Sequence, residues 1–400
     1  MIKLNWLLHS TVRSSRSGKF KWVLVSLLPI AVGGVVFFRS FAPFGGEISE
    51  QRLDKAQASP HYQEGKFVNT QPQPSVKAGE VWLYIKEQLF GKQVRVPDSA
   101  IPLAGSVTSG PIASDPVASE QGQPPPQILP GLRAAWLGHS TVYLEMDSLR
   151  LLTDPIFSDR ASPFSVMGPK RFHPPPVALA DLPKIDAVLI SHDHPDHLDM
   201  KTVQYLSSKG TSFFVPLGVG AHFDRWGVPP SQVTELDWWE SAKAGELTII
   251  CTPAQHYSGR RLFDYMATLW SSWSVIGPEH KVFYSGDTGF SDHFQKIGDQ
   301  LGPFDLSMIK IGLYGPGASW IYSHMDPEDA VKAHLAVEAR RMLPVHWGTF
   351  NIAFHDWDEP IIRAVKAANV NNVDLVTPRV GEVVIAGEPF SSESWWEEVR

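Results

Sequence analysis

The sequence predicts an α/β fold, a sandwich of mixed strands and helices rather than a strict βαβ repeat. Strand-like apolar runs recur at short intervals after about residue 131, and helical spacing appears between some of them. Hydrophobic residues make up 43% of the 400-residue chain, enough to bury a core of that kind. Leu132-Arg-Ala-Ala-Trp-Leu137 and Thr141-Val-Tyr-Leu-Glu-Met146 read as successive strands, with Gly138-His139 turning between them. Leu149–Thr153 is a third, and a Pro-rich excursion then runs from Asp154 to Pro183. Further strands are expected at Ala187–Ser191, Ser212–Val215, Leu247–Cys251, Ser272–Ile276, Lys281–Ser285 and Leu306–Ile311. A long helix is expected at Asp326–Arg341.

Composition excludes several functions. The chain has 42 acidic and 35 basic side chains, a formal charge of −7 and no long basic tract, which argues against a nucleic-acid partner. With 19% charged residues, global disorder is ruled out. The one cysteine, Cys251, reads as a buried apolar residue of a strand, so neither an intrachain disulfide nor a cysteine-rich zinc module can form. Any metal must be held by carboxylates and by some of the 15 histidines.

The first 130 residues read as appendages. A basic tail, 1–21, carries Lys3, Arg13, Arg16, Lys19 and Lys21 and precedes the uncharged run Trp22–Phe38, which Arg39 closes. That run of 17 residues is just long enough to span a bilayer as a helix, and Pro29, Gly33 and Gly34 are tolerated there. The basic flank predicts a cytoplasmic N-terminus and a catalytic domain across the membrane, periplasmic in a bacterium. A cleaved signal peptide is the rival reading, with Ser40-Phe41-Ala42 as its small-residue site, but the leading basic region is long and Pro43 follows directly. From 39 to 130 the composition turns to Gln, Ser, Pro and Gly, which predicts a flexible, mostly extended tether. Inside it, residues 79–90 have helical apolar spacing and could dock on the domain or lie on a membrane surface.

The decisive stretch is Val188-Leu-Ile-Ser-His192-Asp-His194-Pro-Asp196-His197. A buried strand runs into a turn carrying H-x-H-x-D-H. Alternation in an extended backbone puts His192 and His194 on one side, where both imidazoles reach one ion. Asp196 and His197 follow as the chain turns, suiting a second ion. Imidazole and carboxylate together suit zinc, and also iron or manganese. Four ligand-type residues in six positions are far more specific than a lone His-x-His. One loop cannot complete two coordination spheres. Candidates for the remainder are His256 after Leu247–Cys251, Asp287 in Tyr284-Ser-Gly-Asp-Thr-Gly, and His346 in Pro344-Val-His-Trp-Gly. Taken singly, each also fits a satisfied core histidine or a turn aspartate.

Taken together, His192, His194, Asp196, His197, His256, Asp287 and His346 stand in an order that resembles the ligand series of the metallo-β-lactamase superfamily. The resemblance spans roughly residues 131–385. It is sharpened by Trp136-Leu-Gly-His-Ser-Thr, Leu152-Thr-Asp-Pro-Ile-Phe157, Met167-Gly-Pro-Lys-Arg-Phe172, Glu235-Leu-Asp-Trp-Trp-Glu240, Gly302-Pro-Phe-Asp-Leu306, His324-Met-Asp-Pro-Glu-Asp-Ala330 and Val345-His-Trp-Gly-Thr-Phe350. These blocks look like the N-acyl-phosphatidylethanolamine-hydrolysing phospholipase D family. The resemblance implies an αββα sandwich of two facing mixed sheets over 131–400 and two zinc ions, with iron or manganese as other cations of the same donor set. His192, His194 and His256 would hold one ion, Asp196, His197 and His346 the other, and Asp287 would bridge them. It also implies a phospholipid substrate at a membrane and leaves a homodimer open.

The chemistry so implied is attack of a metal-bound hydroxide on phosphorus, releasing N-acylethanolamine and phosphatidic acid. His324 is the candidate proton donor to the leaving oxygen, with capping of the following helix as the plain alternative. Asp154 reads as the carboxylate that orients a ligand imidazole, and His139 as a structural residue. In the excursion, Ile156, Phe157, Phe164, Val166, Met167, Phe172 and Val177 lie beside Arg160, Lys170 and Arg171, a mixture suited to a lipid surface or to a loop folded on itself. Ser258–Phe263 is a candidate pocket wall. Two other readings stay open: a hydrolase of a lactone or cyclic phosphodiester on the same fold, and a non-catalytic, membrane-tethered metal-binding module.

Overall fold

The computed structural model describes residues 40–72, 74, 78–104, 131–261, 263–315 and 317–400. The basic tail and the candidate span Trp22–Phe38 lie outside the described residues. Among those described, no helix is long and apolar enough to cross a membrane.

The expectation of an extended tether fails between residues 45 and 104. Helix α1 (Glu50–Ala58) and the hairpin β1 (Tyr62–Gln63) and β2 (Lys66–Phe67) form there unexpectedly, while helix α2 (Ala78–Phe90) falls on the helical spacing expected at 79–90. Ala56, Phe67 and Ile101 are fully or almost fully buried in the main core, and Arg52 forms a two-pronged pair with Asp224 at 2.8 Å. The polar composition hid three well-separated anchors, each of which removes apolar surface from water when it docks. Residues 105–130, which include the Gln-Pro-Pro-Pro-Gln run, lie outside the described residues.

The rest of the chain builds two seven-stranded sheets. The first contains β3 (Arg133–Gly138), β4 (Thr141–Met146), β5 (Leu149–Thr153), β6 (Ala187–Leu189), β7 (Ser212–Pro216), β8 (Val233–Leu236) and β16 (Val383–Ile385). Their order is β16-β3-β4-β5-β6-β7-β8. The second contains β9 (Ser241–Ala244), β10 (Leu247–Thr252), β11 (Ser272–Ile276), β12 (Lys281–Tyr284), β13 (Phe304–Lys310), β14 (Ala339–Val345) and β15 (Asp374–Leu375). It runs β15-β14-β13-β12-β11-β10-β9. Both sheets are mixed: β5 to β8 are parallel in one, β12 to β15 in the other.

Period-two alternation makes the layers. On β3, Ala134 and Trp136 belong to the main core with Ile249, Val275 and Phe283 of the second sheet. Ala135 and Leu137, one residue out of phase, face a second cluster with Val203, Leu206 and Phe223 of α3 (Met200–Ser208) and α4 (Gly220–Arg225). Helices α5 (His293–Leu301), α7 (Pro327–Ala336) and α8 (Glu359–Asn371) accompany the second sheet, and the short α6 (Ala318–Ser323) precedes α7. The helix expected at Asp326–Arg341 stops at Ala336, because Glu338 takes a left-handed φ of 58° and the chain turns back as β14. Strands β8, β9, β14, β15 and β16 were not expected, being short or masked by charge.

Candidate metal centre

The parallel strands of both sheets deliver their C-terminal ends to one edge, where a chain leaving a strand is free to turn. The loop after β6 carries His192, His194, Asp196 and His197, and His194 O accepts from His197 N at 3.0 Å and Leu198 N at 2.9 Å to fold it. His256 follows β10, Asp287 follows β12 and His346 follows β14. Gly286 before Asp287 has φ 55°, and a Cβ there would lie 2.6 Å from Ser271 O, so only glycine lets this loop approach. His139 in the β3–β4 turn and Asp154 after β5 also have positive φ, 51° and 33°, as does His346 at 64°. Left-handed backbone thus aims three of the side chains that converge here.

The seven residues of the series come together, and their tautomers can be read from outer partners. His256 Nδ1 donates to Ser323 O at 3.1 Å, leaving the Nε2 lone pair to face His194 Nδ1 at 3.4 Å. His192 Nε2 lies 2.8 Å from the same His194 nitrogen. His197 Nδ1 lies 2.7 Å from Asp154 Oδ2, which turns its Nε2 toward His346 Nε2 at 3.2 Å and Asp196 Oδ2 at 3.5 Å. Asp287 stands between the groups. Its Oδ1 lies 3.2 Å from His346 Nε2 and 3.6 Å from His197 Nε2, and its Oδ2 lies 4.0 Å from His256 Nε2.

These atoms fit divalent cations. Ligands at 2.0–2.2 Å on a tetrahedral zinc stand roughly 3.3 Å apart, and the facing nitrogens here lie 2.8, 3.2 and 3.4 Å from one another. Asp287 Oδ1 is buried with no hydrogen-bond donor among the described residues. Burial would raise the Asp287 carboxyl, yet His346, His197 and Lys310 outweigh it and hold the group well below the usual carboxylate range. Burial would likewise lower His197, yet Asp287 and Asp196 push it well above its ordinary value. The carboxylates therefore demand positive charge at this centre. His256, by contrast, is pushed down to about 3, mainly by burial, and is a neutral donor at pH 7.

Asp154 also accepts from Ser191 N at 2.7 Å, Ser191 Oγ at 2.5 Å and the Tyr284 hydroxyl, which fixes the acid that orients His197. His139 does more than stabilise its turn: its Nε2 lies 3.2 Å from Asp196 Oδ2 within the His139–Asp196–His197–His346 cluster. His324 Nδ1 lies 3.5 Å from Asp287 Oδ2, so His324 stands within ligand distance. Burial, with Lys310 and His256, holds its imidazole well below its ordinary value, so it stores no extra proton at neutral pH.

Sequence reasoning missed two neighbours. Asn69 grips the His256 backbone from both sides, donating to its carbonyl at 2.8 Å and accepting from its N–H at 3.0 Å. Lys310, fully buried at the end of β13, donates to Gly312 O at 2.7 Å, and burial lowers its ammonium to about 8 against the pull of Asp287 and Asp196. Neither carries a motif; a lysine closing an apolar strand was the one available signal.

The Pro-rich excursion packs mostly inward. Ile156 and Val177 are buried, and Arg171 donates to Ile156 O at 2.7 Å and His173 O at 3.2 Å, so its charge is not offered to a phosphate. Of its large apolar side chains only Val166 and Met167 are strongly exposed, with Lys170 exposed nearby. Within Ser258–Phe263, Arg260 is buried and donates to Asp193 O at 2.9 Å, whereas Phe263 points into solvent.

Two sheets carrying a histidine–aspartate cluster on one shared edge define a metal-dependent hydrolase fold. A family model for the beta-lactamase superfamily domain matches residues 149–347, and the chain belongs to the metallo-β-lactamase superfamily. An uncharacterised protein of Mycobacterium tuberculosis (strain ATCC 25618 / H37Rv) is 43% identical over 365 residues, 89% of this chain and 92% of that one. The N-acyl-phosphatidylethanolamine-hydrolysing phospholipase D 1 of Caenorhabditis elegans is 45% identical over 230 residues, 55% of this chain and 65% of that one. A mitochondrial enzyme of the same name from Saccharomyces cerevisiae is 37% identical over 233 residues, 56% of this chain and 49% of that one. Among solved structures, a metallo hydrolase of the archaeon Ignicoccus hospitalis shares the fold with TM-score 0.50 and 21% identity, covering 64% of this chain and 98% of that one.

Proposed function

We propose that the chain is a dinuclear zinc phosphodiesterase of phospholipase D type, cleaving N-acyl-phosphatidylethanolamine into N-acylethanolamine and phosphatidic acid. The observation that carries this reading is Asp287, whose two oxygens face two separate groups of imidazoles. That placement suits a carboxylate that would be shared by two ions. The similarity to the C. elegans and S. cerevisiae phospholipases supports the substrate class. Held by these residues, divalent cations would supply an acidified water near neutral pH and charge neutralisation on the phosphate oxygens.

The chain's own residues do the positioning. His192, His194 and His256 form one donor set of three nitrogens, and Asp196, His197 and His346, with His139 beside Asp196, the other. Asp154 and Ser323 take the outer N–H groups of His197 and His256, so their inner lone pairs stay aimed. A neutral His324 beside Asp287 serves the leaving oxygen as a hydrogen-bond donor rather than as a charged acid. We further place the N-terminus in the cytoplasm, residues 22–38 in the membrane and the catalytic domain on the far side.

The test is release of N-acylethanolamine from defined vesicles, with a lactone and a cyclic phosphodiester as competitors and metal content measured on the same sample. Asp287→Asn should lower turnover by at least about a thousandfold. A metal-replete protein that spares the lipid and opens the lactone would end this reading.

A further inference from the structure

Helix α2 docks by its polar side. Glu80 accepts from Ser319 Oγ at 2.5 Å, the Tyr84 hydroxyl lies 2.9 Å from the same Oγ, and Glu87 accepts from Gln93 Nε2 at 2.8 Å. The Tyr84 ring meets Trp320 edge-on at 5.4 Å. The opposite side presents Trp82, Ile85 and Leu89 to solvent, flanked by exposed Val81, Leu83 and Phe90, with Trp82 64%, Leu89 66% and Phe90 72% exposed. A helix at rest on a soluble domain turns such a stripe inward, and a contiguous exposed one marks an interaction surface.

We propose that the outer face of α2 enters the interfacial zone of a bilayer bearing anionic headgroups and so seats the rim of the metal cleft on lipid. Charge chooses the occupant. Across residues 79–96 the exposed side chains are apolar or uncharged apart from Lys86 and Lys92, while both acids, Glu80 and Glu87, are turned away from the fully exposed side. An apolar stripe flanked by lysines, with no acid among its exposed residues, matches a negatively charged lipid surface. Its position fits too. Ser319 and Trp320, on which α2 rests, belong to α6, which runs directly into His324. Arg95, shortly after α2, lines one cleft with His139 and His346. Burying α2 therefore brings the mouth of the metal site to the headgroups. The inference requires a lipid surface and does not rest on the proposed reaction.

The test uses the full chain with an environment-sensitive fluorophore at Trp82→Cys or Phe90→Cys. Cys251 is fully buried, so labelling falls on the introduced thiol. The control is Glu246→Cys, exposed at the β9–β10 turn, at the end of β10 opposite His256. Vesicles of phosphatidylcholine with phosphatidylglycerol should shift the emission at 82 and 90 to the blue, and nitroxides on the acyl chains should quench it, with the control unmoved. Unchanged emission at 82 and 90, even while another segment binds the vesicles, overturns the proposal. A blue shift that appears without lipid and grows with protein concentration assigns the face to a second copy and overturns it as well. Equal shifts on pure phosphatidylcholine overturn the choice of anionic headgroups.

Discussion

At the scale of residues, the centre is aimed by side chains that never reach a ligand position. Asn69 is the clearest case, since its amide holds both backbone groups of His256 while its Oδ1 also accepts from Trp270 Nε1 at 3.0 Å. Asn69→Ala frees that backbone without touching an imidazole. We expect metal affinity to fall by roughly 10–100-fold, read by chelator competition, with the fold intact by circular dichroism. An unchanged affinity would mean that β10 alone holds His256. Lys310 pulls the other way. Its buried ammonium balances Asp287 and Asp196 before a cation arrives and repels the cation afterwards. Lys310→Met should therefore lower the stability of the metal-free protein yet tighten metal binding by about tenfold, roughly 1.4 kcal/mol. Weaker binding in that variant would show that the ammonium supports the ligands instead of competing with their ion.

At the scale of elements, legibility followed surface exposure. Strands buried on both faces, such as β4, β11 and β13, read directly as apolar runs. The H-x-H-x-D-H loop was equally plain, because four ligand-type residues in six positions have few other reasons to coexist. The edge strand β9, Ser-Ala-Lys-Ala, has no such signature and is held by pairing with β10. The α1–β2 segment was misread because its anchors are ten or more residues apart in polar chain. Membership of His139 and Lys310 in the centre depends on register between distant strands, which one sequence does not display. Helix α7 carries its own prediction. His334 on its buried face lies 2.8 Å from Ser307 Oγ through Nδ1, and burial lowers its pKa to about 4. In the unfolded chain the same imidazole takes its proton near 6.5. Between those values the unfolded state binds more protons, so stability falls as pH drops from about 6.5 to about 4. His334→Gln should flatten that part of the urea-unfolding profile of the metal-free protein. An unaltered slope would assign the loss to other groups.

At the scale of the molecule, two stacks tie the layers to the centre. Trp136 of β3 lies parallel to Trp347 at 5.1 Å, and Trp347 to Trp395 of the C-terminal turn at 5.2 Å, so the residue after His346 is gripped by both ends of the domain. Because the first sheet supplies His192 to His197 and the second His256, Asp287 and His346, cation binding is linked to the union of the sheets. Removing metal with a chelator should lower the calorimetric melting temperature by several degrees, and adding zinc should restore it. A melting curve indifferent to chelation would place the binding energy outside the folding equilibrium. The split supply also sets the order of biogenesis. No fragment emerging from the ribosome holds all seven residues until His346 has been made and packed. The full centre therefore exists only in a finished domain, whose two sheets must both be in place before all seven side chains can meet.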